Sequence, residues 1–222
     1  MVVKLFHRVD YVYQLIRHQV LRHQGLHETW IDVGVHFGEH TFQFAKKNPS
    51  LMVYAFEPNL KVAIQRAGLL PNFVVIPAAI AENDGCANFF INTFEAASSL
   101  LPFDQTGLQN WIKGDQLTVE RTVTVPTIRL DTFMNWLEIS NVDFLKVDAQ
   151  GADFSVIKSA GKRLKDIRKI TLEVAITPSQ LYLGAAHKSE VVGYLEQAGF
   201  ALSEVETQSY NQEENLTFIK QP

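Results

Sequence analysis

Apolar residues in this chain fall into short blocks of two kinds, and the kinds alternate. Residues 30–33, 51–56, 73–76, 142–147 and 169–176 are compact apolar runs of strand length. Residues 41–47, 60–69, 131–137, 153 to about 164 and 189–198 carry helical spacing instead, with Gly199 placed as a C-terminal stop. Such alternation predicts an α/β fold: a mostly parallel sheet with helices on both faces and ligands at the carboxyl ends of its strands. Asp32, Glu57 and Ala79 fall at that edge. The chain closes with strand-like 200–206 and 216–219 around polar 207–215, which predicts a C-terminal antiparallel hairpin added to the sheet.

Two stretches depart from the rhythm. Residues 83–125 open on the turn-forming Asn83-Asp84-Gly85, pass a strand-like 87–92 and continue through a polar stretch to Gly114. They are expected to form an insertion, and Ser98, Ser99, Phe103, Trp111 and Lys113 are its candidates for a lid over the pocket, because loops above strand ends carry specificity. A surface excursion unrelated to substrate fits the same spacing. In residues 1–24, Leu5, Val9, Val12, Ile16 and Val20 share one helical face, so an amphipathic helix is expected, packed against the domain or lying on an anionic membrane surface.

Composition narrows the class. A chain of 222 residues, 46% hydrophobic, can bury one sizeable core, and a single domain over 1–222 is expected. The net charge of −4 and scattered Lys and Arg provide no basic block for nucleic-acid phosphates, which points to a small-molecule or glycan acceptor. Cys86 is the single cysteine, so no intrachain disulfide forms, and no Cys/His spacing resembles a zinc site. These features, with no uninterrupted apolar run of membrane-spanning length near the N-terminus, fit a cytoplasmic protein without an integral membrane span. Nothing in the pattern sets the oligomeric state.

The candidate chemistry begins at Asp32-Val-Gly-Val-His-Phe-Gly38. A dinucleotide fingerprint needs a middle glycine so that pyrophosphate can rest on backbone N–H groups, and His36 stands there instead. A carboxylate at Asp32 would repel pyrophosphate but attract an ammonium, as in S-adenosylmethionine, which carries an ammonium, a sulfonium and no phosphate. The plainer alternative makes Asp32 a capping group in an ordinary βαβ turn. Nineteen residues after Gly38, Glu57 ends the second strand, where an acidic side chain accepts from ribose hydroxyls. Gly34, His36, Gly38, Thr41, Pro58, Asn59 and Ala79 complete the candidate cofactor set with these two.

Farther along, Asp148 ends the fourth major strand, and Lys146 shares its face two residues earlier. Charges in so apolar a strand need a partner or a task, and pairs of Lys146 with Asp148 or with Glu173 would supply the partner.

Together, Asp32-Val-Gly-Val-His-Phe-Gly38, Ala55-Phe-Glu-Pro-Asn59, Val125-Pro-Thr-Ile-Arg-Leu-Asp131 and Leu145-Lys-Val-Asp-Ala-Gln-Gly-Ala-Asp153, followed by Val156-Ile-Lys-Ser-Ala160, resemble the FkbM-type methyltransferases over about residues 30–176. The resemblance implies the seven-stranded class I methyltransferase (Rossmann-like) fold, S-adenosylmethionine as cofactor, and methylation of hydroxyl oxygens of sugars and secondary metabolites. It implies cofactor contacts by Asp32, Gly34, Gly38 and Glu57, with Asp148 beside the transferred methyl. The sequence departs from the family at three places: His36 where Asn is usual, Gln150 where Glu is usual, and Asp153 where Glu is common. Asp148 is the expected general base, Glu173 an alternative base or orienting group, and Lys146 a counter-charge, with His36 an outside candidate. Asp148, Asp153 and Glu173 could also gather a hard cation, although no metal site is expected. A nicotinamide-dependent oxidoreductase and a catalytically silent cofactor-binding module are the competing classes.

Overall fold

The computed structural model describes residues 28–222, so the helix expected over residues 1–24 lies outside the described residues. The first half builds β1 (Glu28–Val33), α1 (Glu39–Lys47), β2 (Leu51–Phe56), α2 (Leu60–Ala63), β3 (Phe73–Ile76), β4 (Ala79–Ile80) and β5 (Gly85–Asn92). The second half adds α3 (Gln105–Asn110), β6 (Val119–Ile128), α4 (Leu130–Trp136), β7 (Val142–Val147), α5 (Asp153–Ser159), β8 (Ile167–Ala175), α6 (Lys188–Gln197), β9 (Phe200–Gln208) and β10 (Glu213–Lys220).

Seven strands form one sheet in the order β3-β2-β1-β7-β8-β10-β9. The first five are parallel, and β10 inserts antiparallel between β8 and β9. This is the class I methyltransferase order, with the expected C-terminal hairpin. β2 is buried at all six positions, as a central parallel strand covered on both faces must be. On one face, Ile31, Val33, Tyr54 and Leu145 pack with Phe133 and Met134 of α4, Val156 and Ile157 of α5, and Val191 and Leu195 of α6. On the other, Phe42 and Ala45 of α1 cover Leu51, Val53, Ala55 and Phe73.

Three expectations are corrected. The helix expected over 60–69 ends at Ala63, because Ile64 and Leu69 point to solvent and provide no core face to continue it. The helix expected from 153 to about 164 stops at Ser159 and gives way to a 3₁₀ turn over Gly161–Asp166. Residues 83–125 contain more order than an irregular insertion: β5 pairs antiparallel with β6, β4 pairs parallel with β6, and Phe89, Ile91 and Val125 fill a small core with Ala79. Only the stretch between β5 and β6 is irregular, and α3 lies within it.

Candidate active site

The carboxyl ends of β1, β2 and β7 meet in a knot of backbone hydrogen bonds. Gly34 and Val35 N–H donate to the Phe56 carbonyl at 3.0 and 3.1 Å, and Asp148 N–H donates to the Val33 carbonyl at 2.9 Å. Gly34 has φ +75°, and a Cβ there would stand 1.8 Å from the Asp148 carbonyl oxygen. Glycine at this position therefore meets two demands, a left-handed backbone and contact between two strand ends.

Beside the knot opens a cleft of about 170 Å³. Gly34, His36, Glu57, Pro58, Asn59, Ala79 and Asp148, all candidates from the sequence, line it. Ile80, Phe89 and Leu100 add an apolar wall. The Glu57 carboxylate is 6% exposed and accepts from the backbone N–H of His36 at 2.9 Å and of Asn59 at 2.8 Å. Burial pushes its pKa up to about 7 against the lowering effect of those two donors, and the nearby Asp148 and Asp32 push in the same direction as burial. Each oxygen keeps a lone pair beyond the one engaged. Asn59 also caps α2, its side chain accepting from Lys61 N–H, and Lys61 pairs with Glu95 at 2.8 Å.

His36 sits at φ +47° with Nε2 buried and without a hydrogen-bond partner. An unpartnered buried nitrogen in a cleft that also presents a carboxylate and an apolar wall fits an adenosyl ligand with hydroxyls and an aromatic base.

Asp32, Gly38 and Thr41, expected to contact the cofactor, are not among the residues lining the cleft. Asp32 pairs in register with Lys146 and is 2% exposed, so its carboxylate lies within the structure on the α1 side. There it accepts from the Thr41 hydroxyl and, at 3.4 Å, from the Lys146 ammonium. Gly38 begins α1, and its N–H donates to the Val35 carbonyl at 2.6 Å.

Lys146 also lies 3.6 Å from Asp148 Oδ2, giving the expected pair with that residue rather than one with Glu173. Burial alone would lower the lysine pKa, but Asp32 and Asp148 hold it at about 12. The Asp148 side chain is 40% exposed, while Glu173 lines a separate, smaller cavity with Asp153, Tyr182 and Glu213. Burial, then Asp148 and Glu213, raise the Glu173 pKa. Asp153 is 3% exposed and uses its carboxylate to accept from Ala149 and Gly151 N–H, closing the turn before α5. Burial, then Asp148, push its pKa up to about 7. Among the described residues, no group of three or more His, Cys, Asp or Glu is placed to hold a metal ion.

Gln150 joins the two halves of the acidic cluster. Its amide nitrogen donates to Asp148 at 2.8 Å and to Glu173 at 3.2 Å, and its carbonyl oxygen lies 3.0 Å from the Tyr182 hydroxyl. Of the expected lid residues, Ser98 lines the cleft, Ser99 donates to the Gln150 carbonyl at 2.7 Å, and Phe103 stacks on Tyr182. Trp111 and Lys113 instead line a different groove with Tyr210. Tyr182 carried no signal in the sequence, since a single aromatic between Pro178 and Gly184 has no periodicity to place it.

A sheet of this order, with an acid-lined cleft at the carboxyl ends of its first two strands, defines a class I methyltransferase domain. The methyltransferase FkbM domain matches residues 32–202. The chain belongs to that family, one of S-adenosylmethionine-dependent methyltransferase domains. It is 23% identical to the 2-O-methyltransferase NoeI of Sinorhizobium fredii, a match covering 69% of this chain and 65% of that protein. The chain thus spans just under two thirds of the length of the curated relative. Among solved structures it shows looser similarity to the antibiotic-resistance methyltransferase Kmr, with TM-score 0.49, 13% identity and coverage of 92% of this chain and 93% of that one. The Aeropyrum pernix fibrillarin bound to S-adenosyl-L-methionine gives TM-score 0.49 and 12% identity, covering 89% and 68%. No helix among the described residues is long and apolar enough to cross a membrane.

Proposed function

We propose that the chain is an S-adenosylmethionine-dependent O-methyltransferase whose acceptor is a hydroxyl of a sugar, glycan or secondary metabolite. The observation that carries this reading is the partly exposed Asp148 carboxylate lining the cleft, where an acceptor hydroxyl can reach it. Family membership supports the cofactor, and the relative's name as a 2-O-methyltransferase supports a hydroxyl acceptor. The lack of a basic block favours a small molecule or glycan over nucleic acid. The lone, exposed Cys86 is in keeping with a reducing cytoplasm.

Bound in the cleft, the cofactor supplies an electrophilic methyl group on a sulfonium, which becomes a neutral thioether on transfer. Glu57 would accept from ribose hydroxyls through the lone pairs that His36 and Asn59 leave free, and the apolar Ala79, Ile80 and Phe89 would hold the base. Asp148 receives the acceptor's hydroxyl proton as the oxygen–carbon bond forms and the carbon–sulfur bond breaks. A positioned base of this kind contributes about 10²- to 10⁴-fold in rate. Lys146 steadies the Asp148 carboxylate, and Glu173, set behind Gln150, orients the cluster.

Calorimetric titration with S-adenosylmethionine and S-adenosylhomocysteine, followed by transfer of labelled methyl to a panel of hydroxylated acceptors, tests the reading. Asp148→Asn is expected to keep binding S-adenosylhomocysteine and to lose turnover at least about 100-fold. Absence of binding to either compound by folded protein would sink the cofactor assignment. Binding without methyl transfer to any acceptor would make the chain a silent module.

A further inference from the structure

Gln150 stands between two acidic side chains, and its surroundings give an amide there a physical sense. We propose that Gln150 is a positioning residue: its side-chain amide fixes Asp148 against Glu173 and so sets the point at which the acceptor's proton is received. The proposal rests on the reading of Asp148 as the proton acceptor.

The single amide nitrogen has two hydrogens, and two carboxylate oxygens stand within reach of it, Asp148 Oδ1 at 2.8 Å and Glu173 Oε2 at 3.2 Å. The Oε1 acceptor faces the Tyr182 hydroxyl, which also lies 2.9 Å from the Ala97 carbonyl and has one proton to give. An ionised glutamate at this position would have no hydrogen to donate and would place a third carboxylate between two others. A protonated glutamate could serve one of the two. The amide donates to both acids at once.

The backbone is committed to the same end. Gln150 holds φ +51°, a conformation that non-glycine residues seldom adopt, and its carbonyl accepts from Ser99 on the cleft-lining segment. Residues 97–99, Tyr182 and the ends of β7 and β8 are therefore joined through one side chain and its peptide.

The charges facing this amide come from every neighbouring element. Lys146 and Asp148 belong to β7 and its end, with Asp32 of β1 behind Lys146; Asp153 begins α5, Glu173 lies on β8, and Glu213 begins β10. Lys146 is the cation that the acids share, so adding one more negative charge at position 150 is poorly compensated.

The test compares Gln150→Glu and the uncharged, similarly sized Gln150→Met with the full-length wild-type chain. Gln150→Met is expected to lower kcat at least tenfold at every pH, with affinity for S-adenosylhomocysteine kept within about fivefold. The Gln150→Glu to wild-type ratio of kcat/KM is expected to fall at least tenfold between pH 5.5 and 8.5. A second readout needs no turnover: without cofactor, the thermal midpoint of Gln150→Met, which adds no titrating group, should drop further below wild type as pH rises over the same range, because the lost donors stabilise the ionised acids. A role confined to packing would lower that midpoint by an amount independent of pH, and that result would overturn the proposal. So would Gln150→Met with wild-type kcat and lost cofactor affinity. Should the wild type bind cofactor yet methylate nothing, the functional reading fails, while the pH-dependent melting still decides whether Gln150 bridges the two acids.

Discussion

The His36 backbone N–H donates to the Glu57 carboxylate at 2.9 Å, tying the turn after β1 to the end of β2. That bond lets a buried acid sit at the cleft wall while half its accepting capacity stays free for a ligand. Its consequence is a pH-dependent affinity. With the Glu57 pKa raised to about 7, ligand hydroxyls that need the ionised form must displace a proton at lower pH.

Affinity for S-adenosylhomocysteine is therefore expected to fall about tenfold from pH 8 to pH 6, which follows from one proton bound below a pKa near 7. Calorimetry near neutral pH in two buffers of different ionisation enthalpy should register the released proton. Glu57→Gln should weaken binding by about 10- to 100-fold, the range of hydrogen bonds to a charged group, and flatten the pH dependence. An unchanged slope in that variant would place the titrating group elsewhere.

Lys146 carries a structural duty that its neighbour Asp148 does not share. Asp32 is buried with Lys146 and the Thr41 hydroxyl as its side-chain partners, so Lys146→Met leaves a buried carboxylate short of its counter-charge. A loss of about 3 kcal/mol is expected in urea unfolding. Adding Asp32→Asn should return most of it, because the charge that needed a partner is then gone. Full stability in Lys146→Met alone would mean that the pair contributes nothing.

Raised carboxyls at Glu57, Asp153, Glu173 and Glu213 give the cofactor-free protein a stability that declines toward alkaline pH. Glu57 and Asp153 bind protons up to about pH 7 when folded but only to about pH 4 when unfolded, and Glu173 is shifted the same way. A group raised on folding contributes stability that is fully present below its unfolded value and is lost as pH rises through its folded value. Asp131 works in the opposite direction: Arg129 lowers its pKa, and its contribution is lost only in acid. The unfolding free energy from urea titration should therefore fall between pH 5 and pH 8, by up to roughly 3 kcal/mol for each fully expressed group, and the midpoint with it. Glu173→Gln should reduce the decline. A midpoint that rises over this interval would reverse the assigned signs.

The sequence placed the cleft well where function depends on strand ends. Glu57, Asn59, Ala79 and Asp148 could be found because an apolar run followed by a polar residue marks the carboxyl end of a parallel strand. The pairing of Asp32 was invisible in one dimension. That residue too stands at a strand end, but register sets it opposite Lys146, and a neighbouring strand's register is not written in either strand alone. Gln150 was visible as a departure without its meaning, since the bond to Glu173 crosses 23 positions and that to Tyr182 crosses 32. The small sheet between β4 and β6 was obscured by polar residues: β6 is exposed over much of its first half and lacks a buried alternation there.

Gly34 and Gly68 share φ +75° and differ in what surrounds them, so they separate backbone strain from close approach. A Cβ at Gly68 meets nothing within 4 Å, whereas one at Gly34 would overlap the Asp148 carbonyl at 1.8 Å. Gly68→Ala is expected to cost only the left-handed conformation, about 1 kcal/mol. Gly34→Ala adds forced separation of the β1 and β7 ends, bringing the cost to about 4 kcal/mol or preventing folding. If it folds, the turn carrying His36 must shift, and the heat of S-adenosylhomocysteine binding should vanish in Gly34→Ala while Gly68→Ala binds as the wild type does. Equal stability losses in the two variants would show that left-handed strain alone governs this position and that the β1 and β7 ends tolerate being forced apart.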